Sequence, residues 1–131
     1  MIKRFVFVLV ALTALTVGVR ADEVRLTAGP TELIMFEADG CSWCERWNEE
    51  IGVLYDKTDE ARVAPLRRVD LDDERPADLT FVRGVVFTPT FVVIRDGREI
   101  GRIVGYPGEE FFWPLLGDVL KKLNAIDETK S

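Results

Sequence analysis

Cys41 and Cys44 are the only two cysteines in the chain, and Ser42 and Trp43 separate them. Two cysteines at that spacing meet in one redox centre when a helix begins between them. Unpaired backbone N–H groups at a helix N-terminus stabilise negative charge. They favour thiolate over thiol, and a cysteine that ordinarily titrates near about 8.5 falls to about 7 or below in such a setting. The chemistry of that pair is thiol–disulfide exchange. One thiolate attacks a disulfide to form a mixed disulfide, and the second closes an internal bridge and releases the product. The N-terminal member is the more exposed and the better served by the helix end. Attack is therefore expected from Cys41 and resolution from Cys44.

Two other uses of the pair stand beside this one. Exported proteins carry structural disulfides, but a bridge across two residues closes a tiny loop. Its entropic stabilisation is less than the roughly 3 kcal/mol of a 15-residue loop. Half of a zinc site would need a second cysteine or histidine pair, and the chain has neither. Attachment of haem needs histidine directly after the second cysteine, where this chain has Glu45. The absence of histidine also removes imidazole bases and Cys–His nucleophiles. No metal site and no cofactor are expected.

The elements that must position the pair are legible in outline. Glu32 to Phe36 is a short, mainly apolar run that reads as a buried strand, and Asp39-Gly40 breaks it. A helix should start near Cys41, with Trp43, Trp47, Ile51 and Leu54 as its apolar stripe. Thr58 to Ala64 reads as a further turn of helix. Leu66 to Leu71 reads as a second strand, and Pro76 to Arg83 as a short helix with Ala77, Leu79 and Phe81 partly buried. Phe91 to Ile94 and Glu99 to Val104 are β-rich runs around Asp96-Gly97, a strong hairpin signal. Glu109 to Leu123 closes the domain as an amphipathic helix with Phe112, Leu115, Leu116, Val119 and Leu123 buried, and with Pro114 in its first turn. The expected class is α/β, a mixed central sheet flanked by helices on both faces.

The N-terminus carries its own signal. Lys3 and Arg4 precede an apolar run from Phe5 to Val19, and Val19-Arg20-Ala21 fits a cut after Ala21. This is the pattern of a secretory signal peptide over residues 1–21, with a domain over 22–131. An uncleaved anchor is the alternative, although the run is shorter than the about 20 residues that span a bilayer. Asp22 to Pro30 is expected to be a short lead-in, with an edge strand expected at Val24-Arg25-Leu26. The whole chain has 17 basic and 23 acidic residues, a net charge of −6. All the acidic residues follow Ala21, and cleavage would remove the cations Lys3, Arg4 and Arg20, leaving −9. Such an acidic surface excludes nucleic acid as a natural partner, since phosphate needs a basic face.

A Cys-x-x-Cys pair after a buried strand, with Thr88-Pro89 before a hairpin, resembles the thioredoxin superfamily over about Thr31 to Leu123. That resemblance implies a thioredoxin-like fold and a cis Pro89 facing the disulfide. It also implies that the backbone of Thr88 binds the substrate chain. Gly105 and Tyr106 would lie beside the redox loop, where a glycine lets a substrate backbone approach closely. Trp43 either packs inward at the top of its stripe or offers a flat contact to a partner, and partial exposure is favoured. The sequence departs from ordinary thioredoxins, which carry Gly-Pro between the cysteines and Trp before the first. The family's buried Asp aligns with Met35. Glu37, two residues on and on the same strand face, is the proposed substitute proton acceptor for the Cys44 thiol; a solvated strand-end carboxylate is the alternative. Arg68 aligns with the lysine that neighbours that acid; a plain surface cation is the alternative.

Three phrases carry a narrower resemblance. Cys41 to Trp47, Phe87 to Phe91 and Gly105 to Trp113 are similar to the SoxS-type periplasmic thioredoxins of the bacterial sulfur-oxidation (Sox) system. The resemblance implies a periplasmic monomer that reduces a disulfide-containing protein substrate, the system's carrier protein. It further implies a membrane electron donor of the DsbD type that recharges the dithiol. Two other functions compete with it. A disulfide oxidase or isomerase would run the same chemistry in the other direction. A redox-inactive binding module would use only the apolar rim around Trp43.

Overall fold

The computed structural model describes residues 30–129. The signal segment and the edge strand expected at Val24-Arg25-Leu26 lie outside them. The element order is β1 (Thr31–Glu37), α1 (Ser42–Trp47), a π-helical turn (Asn48–Gly52), α2 (Val53–Tyr55), α3 (Asp59–Val63), β2 (Leu66–Asp70), a 3-10 turn (Ala77–Leu79), β3 (Thr90–Arg95), β4 (Arg98–Val104) and α4 (Glu109–Glu128).

The strands form one mixed sheet in the order β2-β1-β3-β4. β1 runs parallel to β2 and antiparallel to β3, and β3 runs antiparallel to β4. The parallel pair needs a crossover, and the segment from α1 to α3 supplies it. The β3–β4 pair needs only a two-residue turn. Asp96 and Gly97 take it with φ of 53° and 67°, the doubly positive geometry that matches strand twist.

β1 is buried on both faces, as expected of a continuous apolar run in a sheet centre. Leu33 and Met35 face one core; Ile34 and Phe36 face the other. The helices are unequally shared between the two faces. The first core holds Trp47, Ile51, Tyr55, Phe112 and Leu116, so the helical segments after Cys41 and α4 both cover that side. The second is closed by Leu79, Val82 and Val85, in an irregular segment whose only helix is the 3-10 turn. Leu79 is buried and Phe81 partly buried as expected, but Ala77 is exposed, because a single 3-10 turn cannot present the stripe of a longer helix.

Three local expectations are corrected. The buried stripe after Cys41 runs Trp47, Ile51, Tyr55, and Leu54 is exposed. The π turn explains this, since its i→i+5 bonding advances less per residue than an α-helix and keeps positions spaced by four in line. In α4, Leu115 is 43 % exposed while Phe112, Leu116, Val119 and Leu123 are buried. A single helix lying flat on the sheet presents a stripe too narrow for Leu115. Pro114 lies in the second turn of α4, which begins at Glu109, so it leaves the Glu110 carbonyl without a helical partner on the exposed side.

An aromatic cluster joins the two covering helices to the sheet beneath Cys44. Trp47 and Phe91 lie 5.1 Å apart by ring centroids, and Phe91 and Phe112 lie 5.0 Å apart edge-on. Tyr55 stacks on Trp113 at 6.2 Å and donates its hydroxyl to the Ala64 carbonyl at 2.8 Å. α4 approaches β4 closely at Gly101, where only a missing side chain makes room for Val119. Among the described residues no helix is long and apolar enough to cross a membrane.

Candidate active site

Cys41 is the N-cap of α1, with extended backbone (φ −78°, ψ 98°). Its carbonyl accepts the first helical bond, from the Glu45 amide at 3.1 Å. Its Sγ accepts from the Cys44 amide at 3.2 Å, as an N-cap oxygen would. The side chain at the cap is thus the one best placed to hold negative charge. Cys41 is partly exposed and Cys44 only 3 % exposed. A disulfide joins them, with Cα atoms 5.2 Å apart. The asymmetry fits one sulfur reachable from outside and one held against the core.

Beside the pair lies a cleft of about 250 Å³ lined by both cysteines together with Glu37, Asp39, Glu45 and Asn48. Glu37 stands at the end of β1 and opens onto that cleft. Arg68 on β2 donates to Glu37 Oε2 and to Asn48 Oδ1, each at 2.7 Å. It also reaches the Met35 sulfur at 3.6 Å and stands 5.7 Å from the Trp47 ring centroid. Arg68 is therefore a bridge between β1, β2 and the π turn, not an isolated surface cation. Asn48 was not a candidate from the sequence. Its part depends on a contact with Arg68, 20 positions away along the chain.

The Thr88–Pro89 peptide bond is cis, and Pro89 is buried. The Gly105 amide donates to the Pro89 carbonyl at 2.8 Å, which draws two candidate residues together. Gly105 has φ +81°, in the left-handed region that favours glycine. Thr88 is partly buried, and Phe87 before it is 66 % exposed.

Trp43 is 52 % exposed between the cysteines, with the Arg46 guanidinium 5.7 Å from its ring centroid. Tyr106 is different. Its side chain turns into the first core and is only 5 % exposed, because β4 ends on the α4 side of the sheet. Its hydroxyl donates to Glu50 Oε2 at 2.5 Å, and Arg46 Nε donates to Glu50 Oε1 at 3.0 Å. Any contact between Tyr106 and a substrate is thereby limited to its backbone. Burial, and then the hydrogen bond to Glu50, push the Tyr106 hydroxyl up from its ordinary value. Tyr106 first and Arg46 second hold the Glu50 carboxyl below the usual range. Arg46 and Glu50 were missed as site residues, although their i, i+4 spacing in a helix that starts at the dithiol was a readable signal.

Comparison with known proteins fits this geometry. Residues 19–120 match the model of the thioredoxin-like domain family. The periplasmic thioredoxin SoxS from Paracoccus pantotrophus, in its reduced form, aligns with 45 % identity and a TM-score of 0.66, over 71 % of this chain and 98 % of that one. A thioredoxin from Fasciola hepatica aligns with 27 % identity and a TM-score of 0.53, over 69 % and 81 %. A mutant thioredoxin from Halobacterium salinarum aligns with 25 % identity and a TM-score of 0.52, over 70 % and 75 %. Among curated protein sequences nothing matches. The resemblance to SoxS-type thioredoxins read from the three sequence phrases holds. The chain belongs to the thioredoxin-like family, and its Cys41–Cys44 pair is the dithiol of a thiol–disulfide oxidoreductase.

Proposed function

We propose that this protein is an exported disulfide reductase that acts on a partner protein outside the cytoplasm. The observation that carries the reading is the asymmetry of the pair: a reachable, helix-capping Cys41 against a buried Cys44. The reduced protein attacks with the Cys41 thiolate. The substrate disulfide breaks, one substrate sulfur leaves as a thiolate and takes a proton, and the other is bonded to Cys41. Cys44 then gives up its thiol proton and attacks Cys41 Sγ. The bond from Cys41 to the substrate breaks, the Cys41–Cys44 disulfide forms, and the substrate departs with two thiols. Two electrons have passed to the substrate, so a dithiol donor must restore the protein.

Glu37 is the acceptor of the Cys44 proton in this scheme. It shares a cleft with Cys44, and Arg68 and Asn48 fix its surroundings. Trp43, the backbone of Thr88 beside Pro89, and the backbone of Gly105 and Tyr106 form the wall that receives the substrate chain. The signal-like segment over residues 1–21, cleaved to leave 22–131, supports export to the periplasm, and the likeness to a periplasmic thioredoxin supports it further. In that compartment the electrons come from a membrane donor of the DsbD type, and the substrate is the carrier protein of a sulfur-oxidation system. The protein works as a monomer.

A trapping experiment tests this reading. Cys44→Ser keeps the attacking thiol and removes resolution, so it should accumulate covalent complexes with its substrate in periplasmic extracts. Complexes that resist dithiothreitol, or that form equally well with Cys41→Ser, would contradict it.

A further inference from the structure

The contacts that run from Tyr106 through Glu50 and Arg46 to Trp43 play no part in the exchange step. They begin in the core and end at the redox motif. Tyr106 is fixed by burial and by an edge-on contact with Phe112, 6.0 Å between ring centroids. Glu50 sits in the π turn and uses both carboxylate oxygens, one for the Tyr106 hydroxyl and one for Arg46 Nε. Arg46 in turn stands against the exposed Trp43 ring. The same Arg46 and Glu50 side chains form one wall of an open cleft of about 290 Å³, with Pro107 and Phe111 opposite.

We propose that Glu50 is a positioning residue for substrate capture: anchored on Tyr106, its carboxylate holds Arg46 against Trp43 and presets the indole that borders Cys41 for an incoming polypeptide. The inference rests on the reading of Trp43 as a substrate-facing surface. An arginine paired only in solvent is mobile, and an exposed pair of this kind adds little to stability. An arginine tied to a buried tyrosine through a carboxylate has far less freedom, and so does the ring beneath it. A substrate docking on a preset ring does not lose the entropy of ordering it. The loop after β4 thereby acts on the CxxC motif through side chains of the helical segment that follows that motif.

The test is steady-state reduction of insulin with dithiothreitol as the electron source, using Glu50→Gln, Trp43→Ala and the double variant. Glu50→Gln should raise KM for insulin about three- to tenfold, the cost of re-ordering a side chain at docking. It should leave kcat and the Cys41–Cys44 reduction potential in place. Trp43→Ala should raise KM as well, and adding Glu50→Gln to it should raise KM no further. An unchanged KM in Glu50→Gln overturns the proposal, while a raised KM in Trp43→Ala would still support Trp43 as a contact. An equal rise on both backgrounds overturns it too, because Glu50 would then act without Trp43. An unchanged KM in Trp43→Ala overturns both the proposal and the reading beneath it. Should Glu50→Gln fail to fold, Arg46→Gln takes its place, since that side chain is more than half exposed. The same KM rise, lost in the Trp43→Ala background, is expected, and an unchanged KM again overturns the proposal.

Discussion

The backbone amide of Cys44 donates to the sulfur of Cys41 at 3.2 Å. This bond places a donor on the sulfur to which attack is assigned, already in the oxidised protein. When the disulfide opens, the same amide is ready for a thiolate, which accepts a hydrogen bond more strongly than a thiol does.

In the reduced protein the Cys41 thiol should therefore titrate below the ordinary value of a free cysteine, held down by the Cys44 amide and the helix N-terminus. The pH dependence of iodoacetamide alkylation, read by mass spectrometry of the two cysteine peptides, measures it. Cys41 should react first across the neutral range. Preferential labelling of Cys44 would reverse the assigned roles.

Glu37 and Arg68 form a 2.7 Å ion pair at the cleft beside Cys44. Glu37→Gln keeps the shape and removes the proposed proton acceptor. Resolution of a mixed disulfide should slow by about tenfold or more near neutral pH, within the range of general-base effects. Stopped-flow turnover of a pre-formed Cys41 mixed disulfide checks this. Rates unchanged across pH would leave Glu37 only the ion-pair partner of Arg68.

The chain has two tyrosines, Tyr55 and Tyr106, and burial pushes both hydroxyls up from their ordinary value. A group with a raised folded pKa stabilises the fold fully below its unfolded pKa, and that contribution is lost as pH rises above it. For tyrosine the loss begins near about pH 10. Absorbance of tyrosinate should therefore be absent from the folded protein at about pH 10 and should appear together with loss of the folded circular dichroism signal. Ordinary titration near about pH 10 in a folded protein would contradict the burial of these hydroxyls.

At Gly101 a Cβ would lie 3.0 and 3.1 Å from the two γ-carbons of Val119. Gly101→Ala should lower stability by about 1–3 kcal/mol through overpacking. The urea midpoint should fall while the slope stays the same. An unchanged midpoint would show that α4 and β4 are not in such close contact.

What the sequence revealed were local and periodic features. The CxxC spacing, the Asp96-Gly97 turn and the apolar run of β1 each express a rule that acts over a few residues. Their structural counterparts follow the same register. The exchange of Leu54 for Tyr55 shows where this stops, because a π turn depends on hydrogen bonding that residue types do not display. Leu115 shows a second limit, since an apolar residue on a helix flank is exposed when its neighbour covers only a narrow stripe. In the candidate site the dithiol was legible outright. The Arg68–Asn48 and Tyr106–Glu50 contacts were not, because each joins residues from distant segments whose meeting only the sheet topology decides.

The central claim is that Cys41 and Cys44 form a reducing dithiol. The equilibrium reduction potential of the pair, measured against a glutathione redox buffer with the two forms separated after alkylation, tests it most directly. A value of about −270 mV, as in thioredoxin, is the predicted result. A value of about −120 mV, as in the oxidant DsbA, would contradict the reductase account and make the protein a donor of disulfides.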